Sequence, residues 1–189
     1  MFENIIGQDA TVRNLRQDIE QGRLPHSILF HGPRYSGKLS AALELARALM
    51  DPVSGAPWNS SSRSSVLHRH LLHTNLCLLG SRAFVQEIQI CADTLRRHQS
   101  RATRFLFIRS LRKLTRRFDT HLHEESALQK LSRHFETLSE VMAELDPDQN
   151  IMRSDEELQS VTANAVPAAS ALSAALGSDS VPVSMVRRA

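Results

Sequence analysis

A chain of 189 residues with 41% hydrophobic and 23% charged residues makes one domain of ordinary size, or one with a tail. Those values exclude wholesale disorder and a collagen-like repeat. Two cysteines, Cys77 and Cys91, are too few to staple such a chain. With an acidic N-terminus (Met1-Phe2-Glu3-Asn4) and an Ala163–Leu176 stretch broken by Pro167, they predict a cytoplasmic protein with neither export signal nor membrane span.

Val12, Leu15 and Ile19 recur at helical spacing, with Asp9 as the expected N-cap and Gly22 as the stop. Ser27-Ile28-Leu29-Phe30-His31 reads as a short buried strand running into the turn Gly32-Pro33. Strong helix formers follow from Lys38 to Met50, with Leu39, Leu43 and Ala46 on one face. Residues 51–65 are rich in Ser, Pro and Gly and predict an irregular excursion. Asn75 to Gly80 is a second strand candidate, Phe84, Ile88, Cys91 and Leu95 mark a further helix, and Phe105-Leu106-Phe107-Ile108 carries the strongest strand signal. Strands alternating with helices predict an α/β domain over residues 1–118 with a mostly parallel sheet flanked by helices. Leu128, Leu131, Phe135, Leu138, Met142 and Leu145 then step by three and four, which predicts one long amphipathic helix in a segment spanning 119–147. Ala, Ser and Val without a persistent period predict a weakly ordered tail over 148–189.

Chemistry concentrates at Gly32-Pro33-Arg34-Tyr35-Ser36-Gly37-Lys38-Leu39, which matches the phosphate-loop pattern G-x-x-x-x-G-K-[ST] at every fixed position but the last. Two glycines permit a turn whose amide N–H groups, with a helix N-terminus behind them, cradle phosphate oxygens; Lys38 reaches the terminal phosphates. Leu39 stands where a hydroxyl normally ligates Mg²⁺, and Ser40 lies about 100° further round the helix. The strand that should end in Asp-Glu ends in Arg109-Ser110. These groups supply much of phosphoryl-transfer catalysis, so nucleotide binding is expected and turnover is not.

Phe2, Ile5-Ile6-Gly7-Gln8 and the run from Gly22-Arg23-Leu24-Pro25-His26 through Gly32-Pro33 resemble the opening of bacterial clamp-loader AAA+ subunits, the gamma/tau and delta-prime subunits of DNA polymerase III. The likeness is clearest over residues 1–50 and weaker through His73-Thr74-Asn75-Leu76 and the helix from Val85 to Arg97. It implies a P-loop AAA+ fold, adenine beside Ile6, Gly7 and Gln8, and phosphates beside Gly32 to Leu39 with Ser40 next to them. ATP or ADP is the implied ligand, with Mg²⁺ held weakly or not at all. The implied partners are the other clamp-loader subunits, with the sliding clamp and DNA as candidates and no membrane. Losses at Leu39 and Arg109 resemble the delta-prime type, a scaffold with a degenerate site. Two other readings stay open: an active ATPase completed by Ser40 and an unlocated carboxylate, and a truncated relative that does not join the ring.

The excursion offers Ser60, Ser62, Ser64 and Ser65 where many relatives carry a four-cysteine zinc module, so no zinc is expected. His68-x-His70-x-x-His73 is read as a polar helix or loop in preference to a metal site, and the two cysteines as core thiols. Nine Arg or Lys residues lie from Arg96 to Arg117 with no acid among them, whereas Asp119 to Glu157 carries eleven acids against three basic residues. Either the two segments neutralise one another, or Arg112, Lys113, Arg116 and Arg117 face DNA or a partner while Leu111, Leu114 and Phe118 pack inward.

Overall fold

The computed structural model describes residues 2–51, 61–79, 84–118, 123, 125–149 and 152–176. Among them it is helical throughout: α1 (Asp9–Glu20), α2 (Lys38–Met50), α3 (Arg63–Arg69), α4 (Val85–Arg97), α5 (Arg101–Thr115), α6 (Glu125–Gln129), α7 (Ser132–Glu144) and α8 (Asp155–Ala175). The chain divides into two compact units, Met1–Leu76 and Cys77–Ala189. None of these helices is long and apolar enough to cross a membrane.

In the first unit, Phe2, Val12 and Leu45 form a small core, with Ile5, Leu15, Ile19, Leu24 and Phe30 packed against it. Gln8 caps α1, one residue before the expected Asp9, and Gly22 takes the left-handed backbone (φ 62°) that ends the helix. The end of α2 is tied to α3 by buried charges. Glu44 Oε1 accepts from Arg47 Nη2 at 2.6 Å, from Arg47 Nε at 3.1 Å and from the Phe2 N–H at 3.0 Å. Arg47 Nη1 donates to Ser65 Oγ at 3.2 Å and lies 4.0 Å from Asp51 Oδ2. Ser62 and Ser65 both donate to Asp51 Oδ2. Ser62 also caps α3, so the predicted excursion ends in helix from Arg63, residues 52–60 of it lying outside the described residues.

In the second unit α4 packs on α5 and α8, and α7 on α5 and α8. Phe84, Ile88, Ala92, Leu95, Phe107, Ile108, Leu111, Leu114, Leu138, Leu145, Leu158 and Leu172 are buried in it. Capping boxes start two of these helices, Ser100 with Thr103 and Ser154 with Glu157.

A mostly parallel sheet is therefore overturned: among the described residues there is no strand. Phe105–Ile108 lies in the middle of α5, where Arg104, Phe107, Ile108, Leu111 and Leu114 follow at helical spacing and are buried while Leu106 is 52% exposed. A four-residue apolar run fits either period, and the capping box upstream decides for helix. Ser27–His31 is irregular and, apart from the half-buried Phe30, exposed, Leu29 at 88%, because a lone extended segment has nothing to pair its backbone with. Residues 75–79 are likewise turn and coil, Gly80 lying outside the described residues.

The single long helix is also corrected. It breaks at Lys130–Leu131, where the Leu131 N–H turns back to Leu128 O at 3.0 Å, and only Leu138 and Leu145 of the six seam residues are fully buried. Residues 155–175, expected in the weakly ordered tail, form α8. Alanine is the best helix former, and Leu158, Thr162, Ala165, Ala168, Ala169 and Leu172 make a buried stripe of small side chains. Pro167 sits on the exposed side of that helix.

Candidate phosphate-binding loop and basic segment

The loop Gly32–Lys38 opens α2. Ser36 N–H closes a turn onto Pro33 O at 3.4 Å, with Arg34 and Tyr35 at its tip. Tyr35 has φ 64°, the sign that a type II turn demands at its third residue, where Gly or Asn is usual. Holding tyrosine there costs about 1 kcal/mol. Gly37 (φ 80°) is the N-cap of α2 and supplies no side-chain cap; the first helical bond is Ala41 N–H to Gly37 O at 2.8 Å. The N–H groups of Lys38, Leu39 and Ser40 precede it and have no acceptor inside the helix. No acidic residue stands in that first turn. Gly32 has φ 149°, a backbone that side-chain-bearing residues rarely adopt, and a Cβ there would also press on Ser36 Oγ at 3.2 Å.

Lys38 folds over this turn. Its ammonium donates to Gly32 O at 3.0 Å, to Pro33 O and to Ser36 Oγ at 3.4 Å. These acceptors are weak competitors for a phosphate, since none is ionised. The loop thus brings together free helix N–H groups and a cation, which fits a phosphate group. Leu39 is half-buried and carries no side-chain oxygen, Ser40 is exposed, and among the described residues Lys38 contacts no carboxylate. Glu44 and Asp51, the acids at the far end of α2, are bound to Arg47. The residues present do not fit a Mg²⁺ ion.

Ile6 is 91% exposed and Gly7 has φ 75°. The Phe2 bond to Glu44 fastens this N-terminal segment to α2, on the helix that carries the loop. Glu44 lies six residues beyond Lys38, about 9 Å along the axis.

In the basic segment, Leu111, Leu114 and Phe118 pack inward as the spacing predicts. The four charges do not stand free. Arg117 is 6% exposed, its guanidinium 4.6 Å from the centre of the Phe84 ring. Lys113 is ion-paired with Glu87 of α4 and lies 5.6 Å from the same ring. Burial lowers the Arg112 pKa, and the Asp146 carboxylate offsets part of that. Arg116 is half-buried. Arg101 pairs with Asp148, so part of the neutralisation between basic and acidic segments is realised. The role of Glu87 was not legible from the sequence, because it lies outside the acidic segment.

Arg109 is a half-buried residue of α5, not the end of a strand. Among the described residues no three His, Cys, Asp or Glu side chains converge as metal ligands. His68 is buried in α3, while His73 Nδ1 accepts the Asn75 N–H at 3.2 Å. Cys77 is exposed and Cys91 half-buried, which corrects the reading of both as core thiols. Burial and then the Glu87 carboxylate push the Cys91 thiol up, against smaller opposing effects of Ser110 and Lys113.

Comparison with known proteins places these features. The chain is 44% identical over 48 residues to Protein STICHEL-like 1 of Arabidopsis thaliana, covering 25% of this chain and 4% of that protein. It is 40% identical over 48 residues to DNA polymerase III subunit tau of Bacillus subtilis (strain 168), again 25% of this chain and 8% of the relative. It spans less than a tenth of either relative's length. No solved structure matches it. A family model described as DNA polymerase III, delta subunit, matches residues 7–132, from the start of α1 through the phosphate loop and the basic helix to the start of α7. The chain belongs to the DNA polymerase III delta subunit family.

Proposed function

We propose that the chain acts in DNA replication, in the cytoplasm, as a clamp-loader-type subunit of DNA polymerase III that takes up ATP or ADP on the loop Gly32–Lys38 and does not turn it over. The observation that carries this reading is a family match that includes a phosphate loop intact in its amides and Lys38 but lacking a hydroxyl at Leu39. The cradle acts on phosphate through backbone N–H groups, the helix N-terminus and one ammonium, none of which needs a metal. What is lost acts on Mg²⁺ or on attacking water, and without it the transferred phosphoryl group has no charge clamp and no positioned nucleophile. Such a subunit contributes shape and contacts to its assembly with the other polymerase III subunits, in place of chemistry.

Three measurements on one preparation test this: co-purification with the other polymerase III subunits, equilibrium binding of ADP and ATP, and phosphate release. Expected are co-purification, nucleotide binding that barely changes with Mg²⁺, and release at background. Phosphate release that Lys38→Ala removes would show an active ATPase with carboxylates elsewhere. Absence of the other subunits from the purified complex would remove the scaffold reading.

A further inference from the structure

The loop contains a second cation besides Lys38. Arg34 sits at the tip of the Pro33–Ser36 turn, is exposed, and makes no ion pair or hydrogen bond among the described residues. Its neighbours are already committed. Pro33 O accepts the Lys38 ammonium, and Tyr35 reverses the backbone with φ 64°. Arg34 and Lys38 therefore belong to one short turn, joined through the Pro33 carbonyl. The site as it stands does not fit Mg²⁺, yet a nucleotide di- or triphosphate brings three or four negative charges that one ammonium leaves mostly uncompensated.

We propose that Arg34 is the second cation of the phosphate site, binding the terminal phosphates of ADP or ATP in place of the metal that Leu39 excludes. This rests on the nucleotide-binding reading above. A guanidinium suits the role for two reasons. Its planar fork donates two parallel hydrogen bonds to a phosphate. It is also weakly hydrated, so leaving water costs it less than it costs an ammonium. Arg34 is free to move onto a ligand because no carboxylate competes for it. This contrasts with Arg47 on the same helix–loop unit, which is held between Glu44, Asp51 and Ser65.

The test uses the full chain, a fluorescent ADP analogue, and inorganic pyrophosphate as competitor, in EDTA and in excess Mg²⁺. Arg34→Gln is expected to weaken binding about ten- to a hundredfold in EDTA, the loss of one charge-assisted contact pair. It should also lower the salt dependence, while the far-ultraviolet circular dichroism stays that of wild type. Arg34→Lys, which keeps the charge but not the fork, should fall between the two. Pyrophosphate should displace the analogue from wild type more effectively than from Arg34→Gln. Binding in EDTA that Arg34→Gln leaves unchanged, while Lys38→Ala abolishes it, overturns the role of Arg34 alone. Wild-type protein that takes up neither ADP nor pyrophosphate overturns the site reading and this inference with it.

Discussion

Arg47→Met tests the buried charge network that holds α2 to α3. Arg47 and Glu44 are 1% and 0% exposed, and the arginine makes two bonds to Glu44, one to Ser65 and a 4.0 Å approach to Asp51. Methionine keeps most of the aliphatic volume, so the cavity is small and the loss is chiefly electrostatic. Glu44 would keep only the Phe2 N–H, its Oε2 having no partner among the described residues. Glu44 would be left buried without a cation, and Asp51 would lose the 4.0 Å approach of Arg47. Removing one partner of a buried pair costs about 3–5 kcal/mol. With a urea m-value of about 1–2 kcal/mol/M for a unit of this size, the midpoint of the first unit's transition should fall by about 1.5–5 M. Helical circular dichroism in a urea titration reads this directly. The nucleotide site would fail with it through unfolding, since Arg47 lies nine residues, about 14 Å, along the helix from Lys38. Glu44→Gln added to Arg47→Met should recover part of the loss, because the stranded Glu44 charge is gone. A single variant within about 1 kcal/mol of wild type, or a double variant no better than the single, would refute the network as described.

Other outcomes follow from the second unit. Phe107→Ala should cost about 3–5 kcal/mol, whereas Leu106→Lys, on the exposed side of α5, should stay within about 0.5 kcal/mol in thermal unfolding; equal losses would favour a buried strand. Replacing Arg112, Lys113, Arg116 and Arg117 together by alanine should lower the melting temperature and leave any DNA binding measured by fluorescence anisotropy unchanged. Lys113→Ala alone should account for about 1 kcal/mol of that loss, from the Glu87 pair and the Phe84 ring. Ellman's reagent at pH 8 should modify Cys77 well before Cys91. Because the Cys91 pKa is raised in the folded state, its protonated form stabilises the fold below the ordinary thiol pKa, and that contribution should fade as pH climbs through the folded value.

Helices with a full period and punctuation were legible: α1 with Gly22 behind it, α2 over Lys38–Met50, and α4 from Val85 onward. The errors have two physical causes. Phe105–Ile108 is four residues long, and a run of that length satisfies a buried strand and a helix alike. Its helical phase lies in the longer series Phe107, Ile108, Leu111, Leu114, Phe118, of which the last three were already placed inward. Extending that series back one turn to the Ser100–Thr103 box would have found α5. The tail failed differently, because α8 buries alanines. An alanine stripe is invisible to a pattern that looks for large apolar residues, although small side chains let helix backbones approach closely and pack well.

The turn that opens α2 at Gly32–Lys38 was legible for the same reason that the fate of the basic segment was not. A cradle built from backbone N–H groups is a local object: two glycines, a lysine and the first turn of one helix define it, and all lie within ten residues. The fate of a surface charge is decided by whatever packs beside it. Lys113 turned towards Glu87, 26 residues away on α4, and Arg117 towards the Phe84 ring, neither of which sequence proximity advertises. The same rule separates the two halves of the proposed nucleotide site. The donors that would bind phosphate travel with the loop, whereas metal-assisted hydrolysis needs a hydroxyl at one position and carboxylates brought from elsewhere in the fold. The lack of a hydroxyl at position 39 alone would be repairable. Without a strand to present the carboxylates, Leu39→Thr should leave phosphate release at background, and release restored by that single change would mean that acids reach Lys38 by a route the helical structure does not provide.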